Sequence, residues 1–309
     1  MSSKMNEMEW KEIHSFTTDF GDFTCVTISP DGKTLATSTD KGVIILQDLF
    51  DFNKILQKSV HSAAINQIVW SNNGKYIVSC SNDKTIKILD SSNLEEIHTY
   101  EGQDAIITCC DISLSCDLIC GADTDGRIML WATSSPNSMI SKTNHTDAIT
   151  SIHFYHSLFI LTSSLDCIVR IFSTDNLILL KTYVDLNGIS NANFTTDRRY
   201  ITMSTLESIT YIYDLKSGEP VGEFTGYVNK DYLISPCLHY DRNTPDGPVT
   251  IIFPSEDGKL VLYDFATQKH INTFQIHKGY FKFDISRDGN FIATADIENR
   301  KVVIRKREC

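Results

Sequence analysis

Apolar and polar residues alternate with a period of two along most of this chain, in short runs parted by turn residues. CVTI (25–28), TLATS (34–38), INQIVW (65–70), ITSIHF (149–154) and FIATA (291–295) each turn one face toward a core and one away from it. That is the pattern of half-buried strands. The turns between them are rich in Asp, Asn and Gly, as in Pro30-Asp31-Gly32, Asn72-Asn73-Gly74 and Arg287-Asp288-Gly289. Such residues accept the bent or left-handed backbone a hairpin requires. Nothing in the pattern asks for a long helix.

The alternation is itself repeated. Seven segments close in a similar way: VIILQD (43–48), TIKILD (85–90), RIMLW (127–131), IVRIF (168–172), ITYIYD (209–214), LVLYD (260–264) and KVVIR (301–305). Their closing positions, Gln47, Leu89, Trp131, Phe172, Tyr213, Tyr263 and Arg305, are spaced 42, 42, 41, 41, 50 and 42 residues apart. Each period predicts a strand, a turn, a second strand, a turn with an acidic residue, a third strand and a looser fourth. Four strands in about 40–45 residues make one blade of a β-propeller, so the expected fold is all-β with seven blades. The wide interval comes largely from HYDRNTPDGP (239–248), a polar loop.

The seventh unit lacks its fourth strand, while EWKEIHSF (9–16) precedes the first unit unclaimed. Residues 9–16 are therefore expected to pair onto blade seven, with Ile13 and Phe16 in the places of Ile97 and Tyr100. Closing the ring in this way leaves no open seam between first and last blades. Residues 1–8 are expected to form a tail, and 9–309 a single domain.

Composition narrows the function. Hydrophobic residues make up 41% of the 309, enough for a real core. No apolar run is long enough to span a bilayer, and no secretory leader is evident at the N-terminus. Nine cysteines without a Cys-x-x-Cys pair suggest buried thiols in a reducing compartment and no metal site. A net charge of −11 disfavours nucleic-acid backbone contact and favours basic or neutral partners.

His61 and His145 open blades, and Asp83, Asp125 and Asp166 sit in the turns before third strands. Because the pattern recurs, it points to a structural role in buried hydrogen bonding and not to one active site. Gln103 and Tyr227 replace the His in two blades, and Glu207 replaces a turn Asp. No phosphate loop, ligand cluster or nonrepeating catalytic constellation interrupts the repeats. No enzymatic activity, catalytic residue or cofactor is expected. Arg305-Lys306-Arg307 reads as the end of the last third strand.

The period, the turn chemistry and Trp131 resemble the WD-repeat propeller family, and the resemblance implies structural hydrogen-bond sets drawn from His61, Asp83, Asp125, Trp131, His145 and Asp166. GNFIATADIENRKVVIRKREC (289–309), His277, Ser255-Glu256-Asp257, SNDKTIKILDSSN (81–93), HTDAITSIHF (145–154), LDCIVRIF (165–172) and NKDYLI (229–234) further resemble its members in Set1/MLL histone H3 methyltransferase complexes. The resemblance implies a scaffold in the nucleus, or alternatively the cytoplasm. It implies methyltransferase-complex partners and an arginine-containing or basic peptide such as a histone tail. No membrane or direct nucleic-acid partner is expected, and the propeller is expected to be monomeric within a larger complex. The alternative is an adaptor elsewhere, such as a ubiquitin-ligase receptor or translation-initiation-factor subunit.

Carried over residue by residue, the family's arginine opening falls on Asp22, Thr24, Asp40, Ala64, Asn66, Asn82, Thr108, Leu165, Leu233 and Ser235, with Tyr232 adjacent. The two aromatic clamp positions are Thr108 and Ser235 here, and neither can stack on a guanidinium. Tyr232, Phe281 or Phe283 would have to refill the place. Asp19, Asp22, Asp40, Asp104, Asp185, Asp231 and Glu256 are expected in loops on that face, which suggests a basic-peptide surface working by charge. On the opposite face, Tyr200 and Ile212 fall on the groove for a second subunit, and Gly222 replaces a basic contact.

Overall fold

The computed structural model describes residues 10–102, 104–195, 199–239 and 250–307, with only the backbone at 138 and 139. The expectations for residues 1–8, Glu9, Gln103, the loop from 240 to 248 and Cys309 lie outside these. Every regular element among the described residues is a strand.

After β1 (Trp10–Thr17), six antiparallel sheets of four strands follow in chain order. Blade 1 holds β2 (Phe23–Ile28), β3 (Thr34–Thr39), β4 (Val43–Asp48) and β5 (Ile55–Ser59). Blade 2 holds β6 (Ile65–Trp70), β7 (Tyr76–Ser81), β8 (Thr85–Asp90) and β9 (Glu96–Glu101). Blade 3 holds β10 (Ile107–Ile112), β11 (Leu118–Asp123), β12 (Arg127–Ala132) and β13 (Ser135–Thr143). Blade 4 holds β14 (Ile149–Tyr155), β15 (Phe159–Ser164), β16 (Ile168–Ser173) and β17 (Leu179–Val184). Blade 5 holds β18 (Ile189–Phe194), β19 (Tyr200–Thr205), β20 (Thr210–Asp214) and β21 (Pro220–Phe224). Blade 6 holds β22 (Cys237–His239), β23 (Thr250–Pro254), β24 (Lys259–Asp264) and β25 (His270–Gln275). Blade 7 holds β26 (Phe281–Ile285), β27 (Phe291–Asp296) and β28 (Lys301–Arg307), and its fourth strand is β1.

Closure by the N-terminal strand is thus as the strand count requires. Trp10 pairs with Arg307 and Thr17 with Lys301, and the register slips between Glu12 and His14. Ile13 sits at that slip and is 38% exposed. Ile97 sits at the corresponding slip between β8 and β9 and is 40% exposed. Phe16 packs edge-on against Phe23 at 5.9 Å, stitching blade 7 to blade 1.

The core is a ring of interfaces between blades. Each hydrophobic cluster draws on two neighbours: Val26 and Ile28 of blade 1 pack with Ala293 and Ile304 of blade 7, and Ile252 and Leu262 of blade 6 with Phe281 and Ile292 of blade 7. First strands approach one another around the ring (β2 to β6, β6 to β10, β10 to β14, β14 to β18, β26 to β2), so they surround the central axis.

One backbone feature recurs with the period. A residue in the turn just before each third strand has positive φ: Gly42, Lys84, Gly126, Cys167, Ser208, Gly258 and Arg300. Glycine bears this conformation without strain. At Gly42 there is no alternative, because a Cβ would lie 2.1 Å from the His61 carbonyl oxygen.

Candidate functional site

The turn between second and third strands returns to the chain entering the blade, and it does so at one end of the propeller. In blades 1 to 6 the backbone N–H groups of Asp40, Asn82, Thr124, Leu165, Leu206 and Glu256 donate to the carbonyls of Asp22, Ala64, Ile106, Ala148, Gly188 and Val228. The repeated bond places Asp22, Asp40, Ala64, Asn82 and Leu165 on a single face. At the other end, turns between first and second strands close on a hydroxyl: Ser29, Ser71, Ser113, Thr195 and Ser286 each accept the N–H of the residue five positions on.

Around the opening on the first face, small polar side chains join neighbouring blades. Asn66 Nδ2 donates to the Ile107 carbonyl at 2.7 Å and to Asn82 Oδ1 at 2.8 Å. Thr108 Oγ1 donates to the Ile149 carbonyl at 2.6 Å, and Thr150 Oγ1 to that of Ile189 at 2.8 Å. Ser190 Oγ continues to Ile234 at 3.4 Å, while Thr24 Oγ1 meets Ser38 Oγ at 2.9 Å. Asn66 and Thr108 therefore hold blades together at the positions where the resemblance put part of a side-chain pocket.

The exposed residues of this opening carry its chemistry. Tyr232 and Leu233 are exposed, and Tyr232 stacks on Tyr280 with ring centres 3.9 Å apart. Lys282 Nζ donates to the Leu233 carbonyl at 3.4 Å and lies over the Tyr280 ring. Glu256 Oε1 accepts the N–H groups of Lys230, Asp231 and Tyr232, fixing that loop. Asp19, Asp104, Asp231 and Ser235 are exposed, and Asp22 and Asp40 partly so. Asp22 Oδ1 meets Arg300 Nε at 2.5 Å, across the join between blades 1 and 7. Phe281 and Phe283 do not refill an aromatic clamp: Phe281 is 1% exposed and both pack in the interface between blades 6 and 7.

The His–Asp pairs are interior. His61 Nδ1 bonds Asp83 at 2.9 Å and Nε2 bonds Ser79 Oγ at 2.8 Å. His145 bonds Asp166 at 3.0 Å and Thr162 Oγ1 at 2.8 Å, and Arg170 also reaches Asp166 at 2.9 Å. Burial holds both imidazoles below their ordinary pKa. A third set joins His277 to Asp296 at 2.9 Å and to Thr294 Oγ1 at 2.8 Å. Arg305 donates to the same Thr294 hydroxyl. The signal for that set was in the sequence, since His277 opens its blade as His61 and His145 do.

Two expected members of these sets play other parts. Asp125 is exposed, and it is Asp123 that accepts the N–H groups of Asp125 and Arg127. Trp131 is 1% exposed in the apolar interface of blades 2 and 3, beside Tyr100.

On the second face, Tyr200 is half-buried against Phe265 at 5.6 Å. Ile212 departs from the groove expectation: it is 3% exposed within the interface of blades 5 and 6. The space at Gly222 is taken by Gln268, whose Nε2 a Cβ at 222 would meet at 2.1 Å.

Sequence reasoning missed two carboxylates on first strands. Asp111 Oδ2 accepts the Phe154 N–H of the next blade at 2.8 Å, and Asp284 Oδ2 accepts that of Ile28 at 2.7 Å. Burial pushes Asp111 up to about 7 and Asp284 up to about 6. Among the described residues no group of three or more His, Cys, Asp or Glu is placed to hold a metal ion. Among the described residues no helix is long and apolar enough to cross a membrane.

Comparison with known proteins agrees with this architecture. The family model "WD domain, G-beta repeat" matches residues 10–46, 53–90, 94–132 and 137–173. COMPASS component SWD3 of Saccharomyces cerevisiae is 26% identical over 262 residues, 79% of this chain and 82% of that one. Set1 complex component swd2 of Schizosaccharomyces pombe is 24% identical over 289 residues, 86% of this chain and 77% of that one. Eukaryotic translation initiation factor 3 subunit I of the same yeast is 35% identical over 71 residues, 23% of this chain and 22% of that one. With the matched repeats continued by sheets of the same order and spacing, the chain belongs to the WD40 repeat family.

Proposed function

We propose that this propeller is a non-enzymatic scaffold subunit of a Set1-type histone H3 methyltransferase complex, acting in the nucleus. The observation that carries the reading is similarity over most of the chain to two components of such complexes, against a short stretch for the initiation-factor subunit. Fold alone does not assign function, since propellers host many unrelated ones.

The first-face opening would receive a basic segment of a partner by charge. In support, Asp22, Asp40, Asp104, Asp231 and Glu256 lie in turns or loops about that opening, while Thr108 is committed to blade 4. Tyr232, Leu233 and Ser235 would flank the segment. The second face would hold another subunit beside Tyr200. The propeller would enter the complex as a monomer, without membrane or direct nucleic-acid contact.

Affinity purification of the full chain followed by mass spectrometry tests the reading. Methyltransferase subunits are expected to co-purify. Cullin components or initiation factors in their place would overturn it.

A further inference from the structure

The second face has an opening of its own on the axis. A cavity of about 710 Å³ is lined by residues from blades 2 to 7. Its wall mixes apolar and polar side chains: Trp70, Phe154, Tyr155 and Phe194 contribute partly exposed rings, and Leu114 at the rim is 48% exposed. Tyr155 and Phe194 pack with ring centres 4.8 Å apart, so part of the wall is a fixed aromatic surface.

One acid sits in this wall. Asp111 lies on β10, its side chain 17% exposed, with one oxygen on the Phe154 N–H and the other on its neighbour's, Ile112, both at 2.8 Å. These amides orient the carboxyl but bring no net positive charge. His153 Nδ1 is 4.0 Å away, and burial keeps that imidazole down at about 4, so it is neutral. Arg287, itself a cation, lines the same cavity from blade 7, with its guanidinium directed to the neutral Asn72 Oδ1 at 2.9 Å and not to Asp111. No cation pairs with Asp111, and burial accounts for its raised pKa. An aromatic wall beside an oriented carboxyl with no cationic partner has the chemistry of a cation site, because ring faces and carboxylate both attract positive charge and partial burial strengthens the attraction.

We propose that this cavity binds an alkylammonium group: the side chain of lysine or methylated lysine on a protein segment, or a small free amine. The apolar stem lies along Phe154, Tyr155 and Phe194, and the ammonium reaches Asp111. The volume falls in the range of ligand pockets and exceeds what one side chain fills, so the backbone of a short segment fits at the mouth. This site is on the face opposite the acidic opening and does not depend on the function proposed for that opening.

Calorimetric titration of the full chain tests it. The probes are acetyl-lysine-amide, its Nζ-trimethyl form, tetramethylammonium chloride, a lysine-containing dodecapeptide, and neutral acetyl-norleucine-amide. The cationic probes are expected to bind about tenfold or more tighter than the norleucine compound. Asp111→Asn with an unchanged melting temperature should abolish the difference. Should that variant fail to fold, Leu114→Arg decides, since it places a competing cation at the rim without entering the core, and it should weaken the cationic probes. A free amine binding as tightly as the dodecapeptide identifies a small-molecule site, and a tighter dodecapeptide identifies a protein segment. Equal binding of norleucine, no binding of any probe, or undiminished binding by the folded variants would overturn the proposal.

Discussion

The carboxylate of Asp284 accepts the backbone N–H of Ile28 at 2.7 Å, so the last blade grips the first through residues 256 apart in sequence. Asp111 makes the same bond to Phe154 one blade ahead. Asp284→Ala would leave the Ile28 N–H without that acceptor, at a cost of about 1–3 kcal/mol. Asp284→Asn keeps an acceptor and should cost less than alanine. Chemical denaturation of the two variants measures the difference, and equal losses would mean the bond does not hold the seam.

The same two acids give stability a pH dependence. Their folded-state pKa values, about 7 for Asp111 and about 6 for Asp284, lie above the ordinary carboxyl value. The folded state therefore binds more protons than the unfolded one between about pH 4 and 7. Their contribution is full below the unfolded pKa and is lost as pH rises through 6 to 7. The buried histidines act oppositely. His61, His145 and His277 are held low by burial, so their contribution is lost as pH falls below about 6.5. In Asp111→Asn/Asp284→Asn the opposing contribution of these two acids is gone. Its melting temperature should rise more steeply from pH 5.5 to 7.5 than the parent's. Parallel curves would contradict the assignment.

Closure by β1 predicts a local weakness. Phe16 is half-buried against Phe23 and the cluster joining blades 1 and 7. Truncating a fully buried Phe costs about 3–5 kcal/mol, so Phe16→Ala should cost about 2. Deleting residues 10–17 removes the whole pairing with β28 and bares its edge. The shortened chain should melt at clearly lower temperature and aggregate; native melting would refute the closure as a source of stability.

The fold was legible in the sequence because its cause is periodic. Spacing of the closing positions carries through to the seven left-handed residues before the third strands, and counting strands was enough to assign β1 to blade 7. What escaped depends on how one sheet meets the next. Asp111 and Asp284 look like ordinary outward strand positions until the neighbouring blade brings an amide within reach. Asp123 and Asp125 share one turn, and only its geometry decides which faces the backbone amides. Ile212 sits on the strand face turned toward blade 6, which alternation alone cannot tell from a groove.

Four of those seven left-handed positions lack glycine. Cys167 has φ of 68° and is half-buried. A left-handed non-glycine residue costs about 1–2 kcal/mol, partly offset by glycine's greater unfolded-state entropy. Cys167→Gly should therefore stabilise by about 0.5–1 kcal/mol, roughly 1–3 °C for a chain of this size. Differential scanning calorimetry resolves this, and a lowered melting temperature would show that the thiol's packing outweighs the strain.

The first-face opening separates two ways of binding a basic peptide. If charge draws the peptide, Asp22→Asn/Asp40→Asn/Asp231→Asn should weaken it several-fold at about 0.05 M salt and little at about 0.5 M, where screening has already removed the attraction. Thr108 discriminates the alternative. Its hydroxyl is bound to the Ile149 and Ala122 carbonyls, so Thr108→Val should lower stability by about 1 kcal/mol and leave peptide affinity unchanged. Fluorescence anisotropy with a labelled lysine- and arginine-rich peptide reads both variants. Salt-independent binding, or affinity lost with Thr108 in a folded protein, would mean that the peptide enters the opening and meets that ring directly.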